Sequence, residues 1–559
     1  MKKLCLVGLL SAVFLFNGPI SIGFAQNTQN KATSSLARPK LVIGIVVDQM
    51  RYDYLFRYYN KYGNGGFKRL MDQGFNCRDH YYHYGNTSTG AGHASIYSGS
   101  SPAIHGIIGN SWFDRSGGGE LNCVGDSTVR GVGNRHASVG KASPRNLLVT
   151  TMTDQLRIAT NFRSKTISIA LKDRASVLPG GHSANAAYWF DGYAGNFITS
   201  TYYRNDLPQW LVDFNARKLP SKYMRQDWHT LLPIEQYIES TADDAAYEAP
   251  VLKNKKPVFP YELAGQSGNL YGLMSTTAWG NTLTKDMAMA AVKGENLGKG
   301  PETDFLAISF SSPDAVGHAQ GIQSIEQQDL YLRLDRELAE LLNFFDQWVG
   351  KDSYTLFLSA DHGAMDTPEY LTANKIPAGR INMDAVYDQI KERIAKQFGG
   401  LPYVTAIQNR QIYLNHELLA QSVVSRKDIL TAIRQEILAI PGITDVYDSE
   451  AMFEARLNSF QRELFMNDLH TKRSGDLQII MSPGFINKAN FGTSHGSYYN
   501  YDRQVPFLLY GWGIQKGETT RKTYIADIAP TISTLLNILA PSGSTGNVVS
   551  EALKSGNRK

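Results

Sequence analysis

Carboxylates and imidazoles recur in this chain where short apolar runs stop. Asp48 closes Leu41–Val47, Asp314 and His318 follow Phe305–Phe310, and Asp361-His362-Gly363 follows Tyr354–Ala360. His495, in Thr493-Ser494-His495-Gly496, adds a late imidazole. Residues four apart on a helix face the same way, so Asp314 and His318 can serve one ligand. Mixed oxygen and nitrogen donors suit zinc, particularly where coordination positions stay open for water or substrate. Taken singly, each fragment has a plain structural use: a strand-end Asp caps a turn or helix, an Asp/His pair sits on a solvated face, and a lone His packs. Their joint occurrence after several strands points to a metal centre.

A hydroxyl-rich stretch runs from Gly85 through Thr87, Ser88 and Thr89 to His93. The small residues after Thr89 permit tight entry into a helix, and a helix N-terminus stabilises an alkoxide or a phosphate. A nearby metal ion would lower the hydroxyl pKa. On chemistry alone Thr87, Ser88 and Thr89 are rivals, and in isolation a capping Ser/Thr cluster is the plainer account of them. Lys172-Asp173-Arg174 reads as an extended segment whose first and third side chains point to one side. An ammonium and a planar guanidinium there can meet one phosphoryl group; a solvated strand end is the other reading.

The elements that must position these groups are buried strands and helices. Leu41–Val47, Thr166–Leu171, Phe305–Phe310 and Tyr354–Ala360 are nearly continuous apolar runs, the pattern of parallel strands covered on both faces. Between Gln328 and Trp348, Leu330, Leu334, Leu338, Leu341, Leu342 and Phe345 fall on one helical stripe. The fold expected is α/β, a mostly parallel sheet flanked by helices, with ligands at the carboxyl ends of the strands. Two stretches interrupt it: an aromatic rim at about 182–297 and an α+β cap at 365–474, with helices near Met383–Phe398 and Lys427–Leu438 and a strand near Arg410–Leu414. The core is expected to span 40–364 and 475–545, resuming with Leu477–Met481, Val505–Tyr510 and Ile525–Leu536.

Lys2 and Lys3, the apolar run Leu4–Phe16 and Gly23-Phe24-Ala25 have the form of a secretory signal, 1–25, cleaved after Ala25 and followed by a polar tail at 26–39. The run falls short of the about 20 residues that span a bilayer, and Cys5 precedes it, so no transmembrane anchor is expected after cleavage. The destination is periplasmic or secreted. Outside the cytoplasm, Cys77 and Cys123 are either a disulfide or two buried thiols. The formal charge of +5 falls to about +3 without the leader; basic residues are scattered, so nucleic-acid binding is not expected.

At these residues the sequence resembles the alkaline phosphatase superfamily, and within it the phosphate-irrepressible (PafA-type) bacterial alkaline phosphatases. The ordered motifs are Asp48 after a strand, Thr89-x-x-x-His93, His105-Gly-Ile-Ile-Gly-Asn110, Pro313-Asp314-x-x-Gly-His318, Ser359-Ala-Asp361-His362-Gly and Ser494-His495-Gly, covering Val42 to about Leu536. The resemblance implies an alkaline phosphatase-like fold and two zinc ions, one on Asp314, His318 and His495, the other on Asp48, Asp361, His362 and the Thr89 oxygen, with no magnesium site. It selects Thr89 as nucleophile and assigns Asn110, Lys172 and Arg174 to the non-bridging phosphate oxygens. A dianionic monoester has three such oxygens, so small-molecule phosphate monoesters are the expected substrates, through a phosphothreonine. A phosphodiesterase or nucleotide pyrophosphatase is the alternative, and a non-catalytic binding protein a remote one; a monomer is favoured.

Overall fold

The computed structural model of the chain describes residues 38–554, apart from 254, 454 and 489. Four of its strands set up the site: β1 (Leu41–Val47), β2 (Thr166–Ala170), β3 (Asp304–Phe310) and β4 (Tyr354–Ser359). All of their residues are buried, as continuous apolar runs covered by helices on both faces require. They lie side by side in the order β4-β1-β3-β2, all parallel, at the centre of a ten-stranded sheet.

Register explains why the polar residues after these strands converge. Val47 pairs with Phe310, Val46 with both Ser309 and Ser359, and Ser309 with Ala170. The four strands therefore end level, and Asp48, Lys172, Ser311 and Ala360-Asp361 emerge along one edge, the edge at which α/β sheets bind ligands. The helices that bear on this edge are α1 (Thr89–Ser98), which comes well after β1 in the chain, α2 (Asp173–Gly180) and α3 (Ser312–Gln320), which follow β2 and β3, and α4 (Ile325–Trp348), which follows α3. In α4 the expected leucine stripe is buried, and Ser324 caps the helix by accepting from the Gln327 N–H at 3.2 Å.

Two expectations change. The aromatic stretch after His182 begins as sheet rather than rim: Ala186–Asp191 adds parallel to β2 and Asn196–Ser200 adds antiparallel to it. Tyr188 is buried in that strand, edge-on to Trp210 at 5.5 Å; aromatic residues fit a pleated, half-covered surface. Leu477–Met481 does not return to the large sheet. It pairs with Gln411–Leu414 and Ile443–Asp448 in a four-stranded antiparallel sheet. Helices Met383–Gln397 and Arg426–Leu438 belong to the same unit, whose own core includes Ile390, Ile394, Ile412, Ile433 and Ile479. Leu477–Met481 is buried throughout, so its apolar pattern fits either sheet, and only long-range pairing decides.

Cys77 and Cys123 are free and buried in separate parts of the core. Burial pushes the Cys123 thiol up to about 12, so it packs as a small apolar group. Among the described residues no helix is long and apolar enough to cross a membrane. The proposed leader at 1–25 lies outside the described residues, as does the tail up to residue 37.

Candidate active site

Asp48, Asp361 and His362 are fully buried and bring one donor atom each within 4.8 Å of one another; Asp314, His362 and His495 do the same. His318 joins the second group, its Nε2 3.1 Å from Asp314 Oδ1, with His495 Nε2 3.7 Å from the same oxygen. His362 lies between the groups, stacked on His495 at 3.5 Å. The two sets inferred from the sequence thus form one pocket with two lobes.

Hydrogen bonding fixes how each ring faces. The Nδ1 of His318, His362 and His495 lies 2.9, 3.0 and 2.8 Å from the carbonyls of Thr493, Gly363 and Thr87. Each ring must carry its proton there, which leaves the Nε2 lone pair to the pocket, the arrangement in which an imidazole binds a metal. Burial lowers the His362 and His495 pKa values and keeps these rings neutral. Asp48 Oδ1, Asp361 Oδ2 and His362 Nε2 are buried with no hydrogen-bond partner. Three orphaned donors converging on one point is costly unless a cation satisfies them. Burial first, then the charges of Asp314 and Asp361, pushes Asp48 well above the usual carboxylate range, and burial pushes Asp361 up to about 7. The donor set therefore fits metal ions.

Thr89 opens α1 with Ser88 as its extended N-cap residue. Its Oγ1 lies 3.4 Å from Lys172 Nζ, whereas the buried hydroxyls of Thr87 and Ser88 meet no partner. The helix can approach this closely because a Cβ on Gly92 would sit 2.2 Å from the Asp361 carbonyl. His93 ties the first turn down, Nδ1 to the Thr89 carbonyl at 2.8 Å and Nε2 to Ser309 Oγ at 2.9 Å. Asn110 Oδ1 accepts from the Gly90 N–H at 2.8 Å.

Lys172 and Arg174 do not form the extended pair read from the sequence. Lys172 is the extended N-cap residue of α2 and Arg174 lies in its first turn. Lys172 Nζ bridges Asp48 Oδ2 at 2.7 Å and Asp314 Oδ2 at 2.5 Å. Burial lowers the Lys172 pKa, but Asp314 and Asp48 outweigh it and raise the ammonium above its ordinary value; the Arg174 charge opposes them. The Arg174 guanidinium has only a 3.8 Å contact with Asp173, and its Nε is buried without a partner.

Gln49 is a site residue that the sequence did not reveal. Its backbone is left-handed (φ 65°), its N–H donates to Asp361 Oδ1 at 3.1 Å, and its Nε2 donates to Asp314 Oδ1 at 2.7 Å. It thus orients one carboxylate in each lobe. A Cβ on Gly317 would fall 1.9 Å from Gln49 Oε1, so only glycine leaves room for this amide. Gln49→Gly keeps the backbone geometry without strain and removes the amide. Competition against a chelator should show metal affinity in the Asp314 lobe weakened about 10–100-fold; unchanged affinity would leave Gln49 a mere filler.

Fold and site together define an α/β protein organised around a cluster of candidate metal ligands at the carboxyl edge of its sheet. Residues 42–501 match the type I phosphodiesterase / nucleotide pyrophosphatase family, and the chain belongs to that family. It is 44% identical over 528 residues to a protein named calcium-transporting ATPase from Myroides odoratus, covering 94% of this chain and 96% of that one. It is 44% identical over 523 residues to alkaline phosphatase PafA of Elizabethkingia meningoseptica, covering 93% and 96%. The solved structure of PafA matches with a TM-score of 0.90 at 43% identity, over 93% of this chain and 100% of that one, and a fourfold PafA variant matches with 0.90 at 42%, with the same coverage. The resemblance read from the ordered motifs is borne out.

Proposed function

We propose that the chain is a phosphate monoester hydrolase, an alkaline phosphatase, that takes the phosphoryl group onto Thr89 and binds two zinc ions and no magnesium. The observation that carries this reading is three carbonyl-anchored imidazoles and three orphaned donors converging beside one hydroxyl at a helix N-terminus. Asp314, His318 and His495 would hold one zinc; Asp48, Asp361 and His362 would hold the other. When bound, the zinc ions supply Lewis acidity, acidifying the Thr89 hydroxyl and neutralising charge on the attacking and leaving oxygens.

Thr89 Oγ1 attacks phosphorus in line, the bond to the alcohol oxygen breaks, and a phosphothreonine forms at the start of α1, where the helix dipole favours the anion. Water then attacks the same phosphorus and Thr89 leaves with a proton, so two inversions give retention. Asn110, Lys172 and Arg174 take the non-bridging oxygens. In the solved PafA variant a threonine, an asparagine, a lysine and an arginine are replaced, in the order and spacing of Thr89, Asn110, Lys172 and Arg174, which supports grouping these four here. The leader pattern supports export to the periplasm or beyond, and a monomer is favoured. The transporter name of the Myroides relative finds no support in this pocket.

The family description favours a second reading, a phosphodiesterase or nucleotide pyrophosphatase. Two cations beside the nucleophile argue for the monoester, whose third anionic oxygen a diester lacks. With zinc saturating, kcat/KM for a monoaryl phosphate should exceed that for the bis-aryl diester by about 100-fold or more, the worth of one preorganised charged contact. A faster diester would give the site to the second reading, and no phosphate release from either would remove both.

A further inference from the structure

A cleft of about 170 Å³ opens beside His495, lined by Asn86, Asn110, Asn409, Arg410, Asn487 and Ser494 among others. Among the described residues that line it, Arg410 is the only Lys, Arg, Asp or Glu. The sequence pattern places Arg410 in a strand; the structure places it at the tip of a hairpin whose strands are Val404–Gln408 and Gln411–Leu414.

That tip is unusual in its residue choice. Asn409 and Arg410 both have left-handed backbones, φ 52° and 62°. A two-residue hairpin loop with two positive φ values strongly favours glycine at the second position. An arginine kept there despite the strain points to a use for its side chain.

The tip is also held at the site. Asn409 Nδ2 donates to the Ser111 carbonyl at 2.6 Å and Gln408 Nε2 to Ser111 Oγ at 2.9 Å, next to Asn110. Arg410 Nη2 donates to the Gly496 carbonyl and to Asn86 Oδ1 at 3.3 Å. Both partners are neutral, and among the described residues no carboxylate lies within ion-pair distance of Arg410, whose charge acts only at longer range on the buried Asp468 and Asp502. Its side chain lines this cleft and a neighbouring one that Asp502 shares.

We propose that this cleft is the leaving-group subsite and that Arg410 recognises a carboxylate on the alcohol, making the substrates phosphate monoesters of carboxylate-bearing alcohols. This rests on the phosphatase reading, with the Asp314, His318 and His495 lobe taken as the one that faces the leaving oxygen: an alcohol departing past His495 would enter the cleft it lines. A guanidinium fork is the donor that matches a carboxylate, and a site with such a donor discriminates against an analogue that lacks the acceptor.

The test uses the zinc-loaded full chain with 3-phosphoglycerate and glycerol 3-phosphate, which share a three-carbon skeleton and differ by a carboxylate. The ratio of their kcat/KM values should favour the acid by about tenfold or more. Arg410→Gly gives the turn its favoured residue, and the ratio should then fall to near one, mainly through KM. Arg410→Lys, which keeps the charge without the fork, should retain part of the preference, and added salt should erode it. A wild-type ratio near one, or a preference that survives Arg410→Gly, overturns the proposal while leaving the phosphatase reading intact. Turnover of neither ester overturns both.

Discussion

Replacing Thr89 with Ala should lower kcat/KM for a monoaryl phosphate by about 10⁴-fold or more while zinc content stays at the wild-type level. Loss of a nucleophile costs about this much, and what remains comes from the electrostatics and binding of the rest of the site. The neighbouring hydroxyls cannot take over. Thr87 turns its carbonyl to His495, and neither the Thr87 nor the Ser88 hydroxyl has a partner in the cluster, whereas Thr89 Oγ1 lies 3.4 Å from Lys172 Nζ. Stability should hardly change, because the Ser88 side chain makes no capping hydrogen bond and Thr89 is the first helical residue, where Ala fits. Thr89→Ser should recover most of the activity, since it restores a hydroxyl on the same backbone. A Thr89→Ala enzyme that keeps a tenth of wild-type activity would show that water is activated directly and that no phosphothreonine lies on the path.

What the sequence carried and what it hid divide along a physical line. Asp48, Asp314 and Asp361 were legible because each follows a run buried on both faces, and the ends of parallel strands are brought level by ladder register. His318 was legible through its four-residue offset, which α3 preserves. Gln49 was not, because its role depends on a left-handed backbone and on two carboxylates that lie far along the chain. Arg410 was hidden for the opposite reason: its turn lacks the glycine that marks such hairpins, so Arg410 reads as strand. The start of α2 reads as a strand end because a single turn around Lys172-Asp173-Arg174, in a helix containing Pro179, shows too little periodicity to mark it as helical.

The helical start sets the second large effect, on Lys172 and Arg174. Lys172→Ala should lower kcat/KM for the monoaryl ester about 10²–10³-fold, as loss of one preorganised charged donor does, and should lower the rate on a bis-aryl diester by much less. The ammonium sits between Asp48 and Asp314 and within reach of Thr89, so a purely structural role is the competing account. If Lys172 served only to hold those two carboxylates, monoester and diester rates would fall together and zinc affinity would drop with them. Arg174 separates the two accounts. Its donors are almost uncommitted: one 3.8 Å contact to Asp173, a buried Nε without a partner, and no hydrogen bond or ion pair to a candidate metal ligand among the described residues. Arg174→Ala should therefore leave zinc binding untouched and still reduce the monoester-to-diester ratio about tenfold or more. Its charge weighs on the Lys172 ammonium, and the two residues stand two apart at the start of one helix, so they can be tested as a pair acting on one phosphoryl group. The double variant should then lose less than the product of the two single losses, because the second cation removed acts on a group already loosened by the first. Strictly multiplicative losses would place the two cations on different groups and return the substrate preference to the diester reading.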